Sequence, residues 1–128
     1  MMIDEQARYL KSHEWVKPDG DLYAVGLTAY AVEQLGDIVY MELPETGKAV
    51  TQGEPFGVVE SVKSASDMYA PLSGTVAEVN RQVPDNPDML KTDAYTDGWL
   101  IKIQAADAAQ LEGLMDAAAY RTFLETEA

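Results

Sequence analysis

A mainly β chain, with one short early helix and a helical tail, is what this sequence predicts. Three observations point there. Glycine, proline and Asp-Gly punctuation recurs at short intervals through the first hundred residues, as many short strands require. Several segments between these breaks alternate apolar and polar residues. From Asp107 onward the composition shifts to Ala and Leu at helical spacing.

The elements follow in order. Residues 13–17 read as a strand, Pro18-Asp19-Gly20-Asp21 as a turn, and residues 22–26 as the returning strand. Thr28 is placed to cap a helix over residues 29–35 that Gly36 ends. Residues 37–43 form a half-alternating strand, with Val39, Met41 and Leu43 expected on one face. Trp99, Ile101 and Ile103 alternate with Leu100 and Lys102 in a further strand. The helical tail is expected over about 107–125, with Asp116 capping its last helix through Tyr120 and Leu124. Two PxxG turns, Pro44 to Gly47 and Pro71 to Gly74, follow strands that begin near Asp37 and Asp67. They hint at two similar halves on either side of Lys63.

Composition narrows the function. The 128 residues are one domain's worth, and at 47% apolar they can bury a core. With 22 acids against 9 bases the net charge is -13, which repels nucleic-acid backbones and anionic lipid and favours partners with basic surfaces. No cysteine is present and histidine occurs once, so the chain has no disulfide, no thiolate nucleophile and no multi-histidine zinc site. The N-terminus has no apolar signal-peptide core, and no apolar run approaches membrane-spanning length. A cytoplasmic protein is expected; a processed protein of an organellar matrix would read the same.

The stretch VVESVKSASDMY, residues 58–69, sets one lysine among apolar and small residues. Val58, Val62, Ala65 and Tyr69 recur at helical spacing, so pattern alone leaves a helix open. Three β-branched valines and the uncapped Pro55–Gly57 start favour strand instead. A run this long should break near Ser61-Val62-Lys63-Ser64, placing Lys63 at a hairpin tip despite the lack of an Asn-Gly or Asp-Gly signal. Alone, such a lysine is a solvated turn residue.

The surrounding string changes that. VVESVKSASDMYAPLSG resembles the lipoyl-attachment segment of the glycine cleavage system H-protein family. SHEW at 12–15, VGLT at 25–28, LGDIV at 35–39, ELP at 42–44, GEPFGVVESVK at 53–63 and GWLIKI at 98–103 match in the same order. The resemblance covers most of residues 9–125. It implies a barrel-sandwich hybrid of two small sheets, lipoic acid in amide linkage to Lys63, and acidic flanks Glu60 and Asp67 read by the lipoylating enzymes. It further implies a cleft for the arm, in which Ser12, Glu14 and Asp67 match lining residues, Leu35 adds an apolar wall, and Glu14 pairs with a cationic amine. The alternatives are solvated carboxylates at Glu60, Asp67 and Glu14, and a His13 that packs or meets water.

The function so implied is a non-catalytic, monomeric carrier. It would take an aminomethyl group from a pyridoxal-phosphate glycine decarboxylase to an aminomethyltransferase and present its dithiol to dihydrolipoamide dehydrogenase. Attachment needs a lipoate ligase or a lipoyl/octanoyl transferase, because a lysine of ordinary pKa is deprotonated in only about 0.04% of molecules at neutral pH. Three positions depart from the family's pattern: Ala29 stands where an acid is usual, and Lys91 and Ala94 where Asn and Pro are usual. Competing readings are a carrier domain of a 2-oxoacid dehydrogenase complex or a lipoate relay, an enzyme using Glu60 and Asp67 as an acid–base pair, and an unmodified interaction domain. A biotin carrier would have methionines where Val62 and Ser64 stand.

Overall fold

Backbone pairing divides the chain into two antiparallel sheets that share one buried core. The computed structural model describes residues 2–126; residues 1, 127 and 128, part of the expected 1–128 span, lie outside the described residues. In chain order the elements are β1 (Arg8–Tyr9), β2 (Glu14–Asp19), β3 (Leu22–Leu27), α1 (Ala29–Leu35), β4 (Ile38–Glu42), β5 (Ala49–Val50), β6 (Pro55–Ser61) and β7 (Ala65–Tyr69). There follow β8 (Gly74–Val79), α2 (Gln82–Asp85), α3 (Asp88–Thr92), β9 (Ile101–Ala105), a 3-10 turn (Ala108–Gly113) and α4 (Ala117–Thr126). One sheet runs β1-β2-β3-β9-β8-β5 and the other β4-β6-β7.

Alternation places the core. Val16, Val25, Ile101 and Ile103 point inward from the larger sheet, and Met41, Val59 and Met68 from the smaller. On the outer face of the larger sheet, Trp15 packs over Gly26, where an added Cβ would meet the indole at 2.7 Å. The indole N–H donates to the Ala94 carbonyl at 3.0 Å. That contact uses the backbone of residue 94, while the Ala94 side chain is itself buried in the core.

Both PxxG turns carry the chain between sheets: from β4 to β5 and from β7 to β8, and β5 then pairs with β8. The echo in the sequence is therefore two equivalent crossovers. Thr28 caps α1 by accepting from the Ala31 N–H, and Gly36 ends it at φ 73°, a conformation that favours glycine.

Several expectations are corrected. The turn after β2 is Gly20-Asp21 alone; Pro18 pairs with Tyr23 inside the strand, beyond the short reach of β1, where its missing N–H is not needed. Val39 does not share a face with Met41. A register shift between Ile38 and Tyr40 breaks the alternation, and Val39 is exposed while Met41 is buried. The loop before β9 contains α2 and α3, with Lys91 in α3. The tail is broken at Met115, whose N–H and C=O pair with Tyr9 at 3.1 and 2.8 Å. Asp116 then caps α4, accepting from Ala119 at 2.8 Å. Residues 58–69 are strand, turn and strand, not helix.

Candidate functional site: the Lys63 hairpin and the pocket beside it

The hairpin turns without a glycine because a serine side chain takes over part of the backbone's bonding. Ser61 N–H donates to the Ser64 carbonyl at 2.8 Å, while Ser61 Oγ accepts from the N–H groups of Lys63 and Ser64 at 3.3 and 3.2 Å. Serine hydroxyls close turns in this way. Among the described residues His13 is the single non-glycine with positive φ, so Val62 and Lys63 avoid the left-handed conformation a type I′ turn demands. The tip is also tied to the strand entry, Val62 N–H donating to the Asp37 carbonyl at 3.0 Å.

Lys63 is exposed at this tip, with exposed Val62 before it and Ser64, Ala65 and Ser66 exposed after it. Its Cε lies 3.9 Å from where a Cβ on Gly36 would stand, so its stem reaches the end of α1. Glu60 pairs with Ala65 and Val58 with Asp67, which puts both acids on one outer face of the smaller sheet as diagonal neighbours. Glu60 is half-buried and Asp67 exposed.

Between α1 and the smaller sheet is a pocket of about 170 Å³ lined by Ser12, Glu14, Leu35 and Asp67, all four of the residues expected in the arm cleft. The structure adds His13, Ala31, Gln34, Val59 and Ser66, among others. Ala31 and Gln34 share Leu35's helix face at the three- and four-residue spacing, a signal present in the sequence.

Glu14 differs most from its solvated alternative. It is 1% exposed. One carboxylate oxygen accepts from Ser12 Oγ and the other from the Tyr69 N–H at 2.9 Å. Burial pushes its pKa up to about 7, against the opposing pull of those two bonds. The pocket therefore holds a carboxyl group that gives up its proton only near neutral pH, and among the described residues no lysine or arginine forms an ion pair with it. A cation entering the pocket would complete the charge.

His13 is half-buried, which lowers its pKa. Its Nδ1 lies 2.8 Å from Tyr120 Oη, which is also 2.8 Å from Thr28 Oγ1. Tyr120, missed in the sequence, thus links α4 to the cap of α1 and the pocket wall. A larger hollow of about 500 Å³ opens between Leu10, Gly53, Tyr69 and Met115, away from Lys63. Among the described residues no cluster of three or more histidine and acidic side chains could hold a metal, and no helix is long and apolar enough to cross a membrane.

Two antiparallel sheets on one core, the smaller carrying a hairpin with a lysine at its exposed tip, define a lipoyl/biotinyl-like barrel-sandwich hybrid. Comparison with known proteins narrows this. Residues 7–127 match the family described as glycine cleavage H-protein. The chain is 49% identical over 127 residues to the glycine cleavage system H protein of Anaeromyxobacter sp. (strain K), covering 99% of each chain. It is 50% identical over 122 residues to that of Rippkaea orientalis, covering 94% of this chain and 92% of the relative. The crystal structure of a glycine cleavage system H protein from Mycobacterium marinum superposes with a TM-score of 0.88 at 39% identity, over 96% of this chain and 99% of that one. The chain belongs to the glycine cleavage H-protein family.

Proposed function

We propose that this chain is the lipoylated carrier of a glycine cleavage system, with lipoic acid joined by an amide bond to Lys63. The observation that carries the reading is a lysine exposed at a hairpin tip whose stem reaches the end of α1, the helix that lends Leu35 to the pocket of Ser12, Glu14 and Asp67. The residues present fit the group: Ser64, Ala65 and Ser66 follow the lysine with small side chains, its stem lies beside the end of α1, and the pocket combines apolar walls with one buried carboxylate. When attached, lipoamide supplies the disulfide that takes up an aminomethyl group and the dithiol that is later reoxidised.

The chain's own residues hold and present. Ser61 keeps the tip in one conformation. Glu60 and Asp67 offer carboxylates beside Lys63 to a lipoate ligase or a lipoyl/octanoyl transferase. Glu14, assisted by Ser12 and Asp67, pairs with a cationic amine, and Leu35 shields it from water. No side chain is assigned a catalytic step. The partners are a pyridoxal-phosphate glycine decarboxylase, an aminomethyltransferase and dihydrolipoamide dehydrogenase, each docked in turn by a monomer. A tether of this kind raises the effective concentration of the reactive end at every docked site. A cytoplasmic location belongs to the same proposal.

Intact mass and peptide mapping after incubation with lipoate, ATP and a lipoate ligase test it. One lipoyl group on Lys63, with trypsin failing to cut there and Lys63→Arg left unmodified, supports the reading. An unmodified Lys63, under conditions that lipoylate a control domain, overturns it in favour of an interaction domain.

A further inference from the structure

On the side of α1 away from the Glu14 pocket runs a second hollow, of about 470 Å³. Its α1 wall is Ala29, Val32, Glu33 and Gly36, and its α3 wall is Leu90 and Lys91; Met2 also lines it. The spacing 29, 32, 33, 36 is one continuous face of the helix, running from its first residue to the glycine that ends it. The Glu14 pocket takes Ala31, Gln34 and Leu35 from the opposite face. Thus α1 is a partition with a hollow on either side, and Lys63 stands at its end with Cε against Gly36.

The two hollows differ in chemistry. The smaller contains the buried Glu14 carboxylate and suits a cation. The larger has Val32 and Leu90 as apolar floor, 4% and 1% exposed, with its charges at the rim, where Glu33 is exposed and Lys91's ammonium is held on Asp37 at 2.8 Å. Ala29 leaves its far end uncharged. A seven-residue helix is about 10 Å long, of the order of an extended octanoyl-length chain. Ala29 and Lys91, two of the three departures from the family's pattern, both line this groove.

We propose that the groove between α1 and α3 is a resting site for the uncharged forms of an acyl arm on Lys63, separate from the pocket that receives its cationic form. This rests on Lys63 being the attachment point. The site receives a neutral hydrocarbon chain between Val32 and Leu90, and it is within reach because the lysine stem already lies beside Gly36 at the end of α1.

The test compares amide NMR spectra of the full ¹⁵N-labelled chain, unmodified and octanoylated on Lys63 by a ligase, with mass spectrometry reading the attachment. The expected result is shifts at Val32, Glu33, Gly36, Leu90 and Lys91 on octanoylation, and their loss in Ala29→Glu, which charges the groove's far end while keeping an acid at a helix N-terminus that tolerates it. Attachment with shifts confined to residues 61–64, or appearing at Ser12, Glu14 and Asp67 instead, overturns the groove and leaves the carrier reading standing. No mass gain at Lys63 overturns both.

Discussion

Burial holds the Glu14 carboxyl at about 7, against an ordinary value of 4.5. Between those pH values the folded chain keeps a proton there that the unfolded chain has released. Stability linked to Glu14 is therefore fully present below about pH 4.5 and is lost as pH rises through 7, by an amount on the order of 3 kcal/mol. Glu14→Gln should remove this slope. Its amide oxygen can accept from Tyr69 and its NH₂ can donate to Ser12, so both bonds survive. We expect the variant to match the wild type near pH 4.5 and to melt several degrees higher at pH 8. Parallel melting curves across that range would show that Glu14 does not titrate as its burial requires. Gly26 answers to a different force. Gly26→Ala drives a methyl into the Trp15 indole and should cost about 1–3 kcal/mol in denaturant unfolding, whereas an alanine at exposed Gly113, with open space around it, should cost little.

At the scale of the element, the hairpin and α1 are each fixed by one hydroxyl. Ser61→Ala removes the acceptor for two turn N–H groups that water can still reach. The expected loss of stability is about 1 kcal/mol, with faster amide exchange at Ser64 and slower modification of Lys63; Ser61→Thr should restore all three. Thr28→Ala removes a helix cap and a partner of Tyr120 together, for about 1–2 kcal/mol. Thr28→Ser should recover most of it. Caps, turns and alternation are local signals, and this is why α1 was legible residue by residue and the hairpin by its break. The tail was legible only as helical. Its interruption at Met115 comes from pairing with Tyr9, more than a hundred residues away, which no local pattern carries. The exposed Val39 has a similar origin, in a register shift set by the neighbouring strand.

For the whole molecule, a net charge of -13 means that folding draws like charges together. Exposed charges are screened over about 10 Å at 0.1 M salt, so the melting temperature at pH 7.5 should rise between low and moderate NaCl. A fall would show that ion pairs such as Lys17–Asp4 and Lys102–Asp19 outweigh the general repulsion. The same field speeds encounters with basic partner surfaces, and their association rates should decline over that salt range.

The sequence by itself determined the β class, the α1 segment with both of its ends, the lysine at a hairpin tip and the ordered motifs of the H-protein family. Each of these is written in a few consecutive residues. Tertiary structure decided how the strands of the described residues divide between two sheets, that Glu14 is buried while Asp67 is not, and that Tyr120 reaches the cap of α1. It also decided that α1 separates a pocket with a buried carboxylate from a groove floored by Val32 and Leu90. Burial and charge state depend on what distant segments bring to a side chain, and that is settled only when the sheets close on their shared core.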